Sequence, residues 1–352
     1  MNSKYRKIKK FLQREPFEGF TKKDLFIKNF MPNAWGQDIA ALSNIAEALK
    51  SMTCEEVYRG QRKALNKEIK FLIDRVVQFA IHPSVNPWKK PIGQVTNFNH
   101  YGYYLEHLNI ILACYQSLAG DKYLDLNTRV TLYLREESLA QKNAHARLIP
   151  HIKMRWCADQ AAIIFSIWLY DKNNGTNYHE EPKNRWLQYM ENNAKHEATG
   201  LYITEVMGVK SYSKQPRGCS HAYMCYYMEH FAYKEAKEQW ELFKKHMLIK
   251  RFGMWGFREY LPDYKGKWTP DSGPIFFGMG IAATGLALKP LKVWGDFWEP
   301  HEDKIFKQAG FVHALCNILV HLPVLGRFAL LGSDILATAI LLSAETTDQK
   351  YL

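Results

Sequence analysis

Asp271-Ser272-Gly273-Pro274-Ile275-Phe276-Phe277-Gly278-Met279-Gly280-Ile281-Ala282-Ala283-Thr284-Gly285-Leu286-Ala287-Leu288 carries no charge between Asp271 and Lys289. A segment that is apolar on every side is buried on every side. Pro274 fits the first turn of a helix, where its missing N–H costs nothing. We therefore expect residues 271–288 to form an inner helix of a helical bundle or barrel, with Asp271 and Ser272 at its open mouth. Glycines in a helix interior cost about 1 kcal/mol each relative to alanine. Close approach of neighbouring helices offsets that cost.

The rest of the chain repeats the pattern. Apolar segments begin near Asp38, Asn99, Trp156, Gly218, Ser272 and Arg327, and charged amphipathic segments separate them, among them residues 55–81, 121–141, 181–195 and 233–247. Residues 255–260 alternate enough to be a short strand or extended loop. Loops bearing polar and aromatic residues lead into the apolar segments. An inner ring of six helices buried all round, inside outer helices with one wet face, accounts for this alternation. The expected fold is all-α, an (α/α)6 toroid of one domain over residues 1–352, with residues 1–30 as a basic lead-in. An irregular helical bundle with the same burial is the rival.

Composition sets bounds. The chain has 352 residues, 14% of them aromatic, and a formal net charge of +12. Part of the charge lies in Lys4, Arg6, Lys7, Lys9 and Lys10. The plain reading is a solvated basic surface; the functional readings are peripheral contact with an anionic membrane or an acidic substrate. No zinc-finger, RNP or helix-turn-helix signature supports nucleic-acid binding. The cysteines, Cys54, Cys114, Cys157, Cys219, Cys225 and Cys316, form no C-x-x-C pair and fall mostly in helical stretches, so free thiols are expected. No apolar segment follows the basic N-terminus, so no signal peptide is expected. Residues 311–343 are apolar but broken by His313, His321, Pro323, Arg327 and Asp334, short of an uninterrupted span. A cytoplasmic location, with membrane association as the variant, is the expectation.

If the inner helices start at one end, their first residues converge on a cavity, where helix dipoles favour negative charge. The candidates are then Asp38, Asn97, Asn99, His100, Tyr101, Trp156, Cys157, Asp159, Arg217, Cys219, Ser220, His221, Arg258, Glu259, Tyr260, Asp271 and Ser272. Each has a plainer reading. Asp38, Asn99 and Asp271 could cap helices. His100 and His221 could be satisfied core histidines, and Cys157 and Cys219 ordinary buried thiols. Trp156, Tyr101 and Tyr260 suit a cavity wall. Asp159 stands one turn inside an otherwise uncharged helix, where a carboxylate needs a partner, in the plain reading Arg155 or Arg217. Metal-ligand spacings such as H-E-x-x-H, P-loops, G-x-G-x-x-G before a helix and G-x-S-x-G elbows do not occur, so neither metal nor cofactor is expected.

Trp156-Cys157-Ala158-Asp159, Pro216-Arg217-Gly218-Cys219-Ser220 and Asp271-Ser272-Gly273-Pro274, followed by a Gly/Ala-rich helix, resemble the linalool dehydratase-isomerase-like family over roughly residues 95–290. The resemblance implies an (α/α)6 barrel in a homo-oligomer. It also implies cofactor-free hydration, dehydration and isomerisation of monoterpene alcohols by Asp, His, Tyr and Cys groups around the cavity. Asp38, after Trp35-Gly36, is the position most readily equated with a family aspartate. The missing export signal departs from the secreted type member, which puts the substrate in question.

Water loss from an alcohol needs an acid at the leaving oxygen and a base at a neighbouring C–H, and positioned groups contribute about 10²–10⁴-fold each. Asp38 or Asp159 would be one member, with His100, Cys157, Cys219 or His221 as the other. Asn99, Tyr101, Trp156, Arg217, Ser220, Arg258, Glu259, Tyr260, Asp271 and Ser272 would bind the substrate, a terpenoid-like alcohol. A carbohydrate-active toroid is the alternative: a hydrolase pairing Asp159 with Asp271, or a lyase using Arg217 to bind a uronate. A non-catalytic helical scaffold is the third reading. Thiol titration of the denatured, unreduced protein should find close to all of its cysteines free; a count of two or fewer would point to a disulfide-bonded protein.

Overall fold

The computed structural model describes residues 2–31, 36–54, 62–294, 300–322 and 325–347. Pro32-Asn33-Ala34-Trp35, the start of the charged segment at 55–61, and Pro323 lie outside the described residues, as does the side chain of Cys54. The protein is predominantly helical. In chain order the helices are α1 Ser3–Leu12, α2 Gln37–Cys54, α3 Arg62–Ile81, α4 Gly102–Ala119, α5 Leu124–Ala140, α6 Cys157–Asn174, α7 Glu180–Asn193, α8 Gly218–Met228, α9 Tyr233–Met247, α10 Ile281–Trp294, α11 Pro300–Leu319, α12 Leu325–Ser333 and α13 Ile335–Thr346. Three short antiparallel pairs accompany them. They are β1 Arg155–Trp156 with β2 Glu205–Val206, β3 Leu248–Arg251 with β4 Met254–Phe257, and β5 Ile275–Phe276 with β6 Met279–Gly280.

The expected alternation is present in the burial of the helices. α2, α4, α6 and α8 are buried nearly all round, whereas α5, α7 and α9 keep one wet face. By contacts the chain divides into two compact units. One comprises Met1–Asn99, His107–Asn127 and Ala309–Leu352; the other comprises His100–Glu106 and Thr128–Gln308.

In the first unit α2 packs against α13 and α3. α1 is built into it: Asn2 caps its start, Tyr5, Ile8, Phe11 and Leu12 are buried, and Lys9 pairs with Glu68 at 2.7 Å. The apolar stretch 328–343 is two helices rather than one. The Asp334 carboxylate accepts from the Ala337 N–H at 2.7 Å and the Phe26 N–H at 3.0 Å, so it caps α13 and ends α12. By length and composition Phe328–Thr346 is nonetheless apolar enough to cross a membrane, which the reading of interruptions at Arg327 and Asp334 did not allow for; more than half of it is buried in the fold.

In the second unit α8 is central, packed against α6, α9 and α10. α6 ends at Gly175, whose φ of 66° is the left-handed cap that glycine supplies. The largest correction concerns residues 271–288. Helix α10 begins only at Ile281. Before it, Ser272 closes a loop on Thr269, donating to its carbonyl at 3.2 Å. β5 and β6 then form a hairpin through Phe277 and Gly278, both at positive φ. Of the glycines assigned to this helix, only Gly285 is helical. A left-handed Gly273 and two left-handed turn residues exclude helix geometry across 273–278.

Gly218, at the start of α8, fixes how closely that helix meets the chain after β4. Its N–H donates to the Glu259 carbonyl at 2.9 Å, and a Cβ there would lie 1.9 Å from the Arg258 carbonyl oxygen. No rotamer relieves a backbone clash. Gly218→Ala should therefore cost about 3 kcal/mol or more and lower Tm by several degrees; an unchanged melting curve would contradict this packing.

Candidate functional site

The second unit concentrates carboxyl groups on the starts of its buried helices. Glu106 stands one turn into α4 and is fully buried. Asp159 stands in the first turn of α6 and is half-buried. The Glu106 and Asp159 carboxyl groups act on each other's ionisation, and the Tyr223 hydroxyl on α8 donates to Glu106 Oε1 at 3.3 Å. Two interacting carboxyl groups do not readily ionise together, and desolvation decides where the proton resides. Burial, reinforced by the nearby Asp159 charge, holds Glu106 well above the ordinary carboxylate range. Burial, then the charge of Asp271, pushes Asp159 up to about 7. Glu106 thus holds its proton more firmly than Asp159, and the pair titrates as a unit.

Arg217 balances part of this charge. Its Nε donates to Glu259 Oε1 at 2.9 Å, its Nη2 to Thr269 Oγ1 at 2.7 Å, and its guanidinium lies 5.5 Å from the centre of the Tyr260 ring. Both members of the ion pair are buried. Cys219 completes the knot, donating its N–H to Glu259 Oε2 at 3.2 Å and its thiol to Oε1 at 3.1 Å. Burial and the Glu259 charge keep that thiol protonated, well above its usual pKa. Arg155 donates to the carbonyls of Ile152 and Met154. The guanidinium groups first considered as partners of Asp159 are therefore engaged elsewhere.

A third group sits beside these. The Trp156 indole donates to Glu205 Oε1 at 3.0 Å and the Ser213 hydroxyl to Oε2 at 2.6 Å. The Glu205 charge acts on Asp271 and on Cys157. Asp271 retains accessible surface, yet burial raises its pKa in spite of the attraction of Arg217. Asp159, Tyr223 and Trp156 are half-buried. Glu259 and Asp271 thus act on the Arg217 guanidinium, while Asp271 also acts on Asp159, and Asp159 on Glu106.

The remaining candidates lie as follows. Cys157 is buried, with its N–H on the Thr204 carbonyl at 3.1 Å. His221 stacks on Phe243 at 5.5 Å, and burial lowers its pKa to about 3, which keeps the ring neutral. His100, at φ 60°, pairs through Nδ1 with Glu137 at 2.9 Å and through Nε2 with Arg147 at 3.0 Å. Its place is thus a partly exposed polar cluster. Asn97 accepts from the N–H of exposed Asn99 at 2.8 Å; Tyr101 and Ser220 are half-buried. Tyr260 donates to the Lys267 carbonyl at 2.9 Å. The Arg258 guanidinium reaches Gly278 in the β5–β6 turn. Ser272 is buried in the Thr269 loop, and Asp271, ten residues before α10, is not its cap. Asp38 belongs to the first unit: buried in the first turn of α2, it accepts from the Gly36 and Ile39 N–H groups at 3.0 Å, with Lys28 at 3.9 Å.

Glu106, Tyr223 and Glu205 were not singled out in the sequence. The argument applied to Asp159, a lone carboxylate in an apolar helix, applies equally to Glu106 in Tyr104-Leu105-Glu106-His107-Leu108. No sequence signal marks Tyr223. No protein-family model and no curated protein matches this chain.

The raised carboxyls have a consequence for stability. A carboxyl whose folded pKa exceeds its unfolded value stabilises the fold fully below the unfolded pKa and loses that contribution as pH rises through the folded one. For Asp159 the window runs from the ordinary 3.8 to about 7. From pH ~4 to pH ~8, unfolding free energies should shift in favour of Asp159→Asn over the parent by a few kcal/mol, on the order of that shift. A pH-independent difference would contradict the raised pKa.

Proposed function

We propose that the second unit is an acid/base enzyme that removes water from, or adds it across, a small apolar alcohol. This is the reaction class implied by the linalool dehydratase-isomerase-like resemblance. The observation that carries the reading is the interacting Glu106–Asp159 carboxyl pair beside the Tyr223 hydroxyl, with Asp159 poised at about 7. Such a pair holds a proton at neutral pH and gives it up without a large penalty, as general acid catalysis requires.

The pair donates its proton to the substrate hydroxyl; the C–O bond breaks and water leaves. The resulting allylic or tertiary cation faces Tyr223, which packs edge-on against Tyr227 at 4.7 Å, and the Trp156 ring. Aromatic faces stabilise such charge by about 2 kcal/mol or more when dry. The carboxylate left behind takes a proton from a neighbouring carbon, forming the double bond and restoring the pair. Asp271 adds negative potential. Arg217, Glu259 and Cys219 position the start of α8. The alternation of all-round-buried and half-wet helices supports an (α/α)6 toroid as the frame.

A glycoside hydrolase built on Asp159 and Asp271 gives Glu106 no role, so Glu106 separates the readings. Purified protein should convert a member of a panel of tertiary and allylic terpenoid alcohols to the alkene, read by gas chromatography. Glu106→Gln and Asp159→Asn should each lower the rate about 10²-fold or more with the fold retained. Turnover of no alcohol in the panel, or full activity in both folded variants, would overturn the proposal.

A further inference from the structure

The two hairpins of the second unit share an unusual turn. Arg251-Phe252-Gly253-Met254 and Phe276-Phe277-Gly278-Met279 each place a phenylalanine and a glycine at positive φ, 49° and 80° in the first and 52° and 86° in the second. This is the two-residue turn that suits a twisted hairpin, and asparagine–glycine fills it with least strain. A bulky residue at positive φ is a backbone outlier. Here the strained residue is apolar, exposed and present twice. Phe252 is 76% exposed and Phe277 71%, and their rings meet edge-on at 4.7 Å. Met254 and Phe276 beside them are exposed as well. Neither folding nor hydrogen bonding calls for phenylalanine at these tips.

The surroundings are cationic. Lys250 and Arg251 lead into the first turn and are exposed. The Arg258 guanidinium lies against Gly278 in the second turn, and Arg251 is close enough to lower its pKa further after burial has done so. No carboxylate occurs in residues 248–258 or 274–280. Paired aromatic tips ringed by cations fit a surface that is apolar inside and anionic outside.

We propose that the Phe252 and Phe277 tips insert into an anionic phospholipid bilayer, with Lys250, Arg251 and Arg258 on the headgroups. This stands on the exposed surface and is independent of the acid/base chemistry. Mass action then favours a substrate that partitions into the membrane.

The test is co-sedimentation of the full chain with vesicles of phosphatidylcholine, with and without phosphatidylserine, and the decisive variant is Phe252→Asn with Phe277→Asn. It installs the residue the turns prefer, so it should melt at or above the parent temperature. The parent should bind vesicles containing phosphatidylserine, bind phosphatidylcholine far more weakly, and come off in raised salt. The double variant should bind about a hundredfold more weakly. A parent that binds no vesicles, or a folded double variant that binds as the parent does, overturns the proposal. So does equal binding to both lipids. Tips built to meet a protein would leave the parent indifferent to lipid, which is the first of these outcomes.

Discussion

A carboxylate on a helix that is buried nearly all round loses most of its hydration, and the second unit places two there, Glu106 fully buried and Asp159 half-buried. Arg217 is bound to Glu259 and Thr269, and Arg155 to backbone carbonyls. Burial and mutual repulsion keep Glu106 and Asp159 from both ionising at neutral pH. Sharing a proton is the remaining way to keep Glu106 and Asp159 in place. The proton is therefore a structural component.

The knot around Arg217 serves that arrangement. Its hydrogen bonds join the start of α8, the chain after β4 and the Thr269 loop, and Gly218 lets the helix approach the Arg258 carbonyl. α8 in turn carries Tyr223 to Glu106. The thiol of Cys219 and the ring of His221 are held neutral by burial. Their neutrality leaves the carboxyl groups as the titrating members near physiological pH.

The alternation of buried and half-wet helices was legible in the sequence because charge periodicity reports directly on which faces are wet. The start of α8 at Gly218 was legible for a similar local reason. Residues 271–280 were not. An uncharged run with glycines reads as a buried helix, and the turn at Phe277-Gly278 lacks the asparagine that marks such turns. At the site, Asp159 was recognisable as a lone carboxylate in an apolar helix. Glu106 met the same criterion and was passed over because it stands a turn deeper than the helix mouth. His221 shows the limit of counting from a helix start: each residue turns the side chain by about 100°, and this one faces Phe243 rather than Asp159.

The shared proton is open to direct observation. Infrared titration of protein carrying ¹³C-carboxyl aspartate isolates Asp159 as the band lost in Asp159→Asn. The account predicts a protonated carboxyl band for Asp159 that disappears with a midpoint of about 7, and a glutamic acid band, absent in Glu106→Gln, that persists at neutral pH. An Asp159 midpoint in the ordinary range near 4, with Glu106 ionised at neutrality, would contradict it.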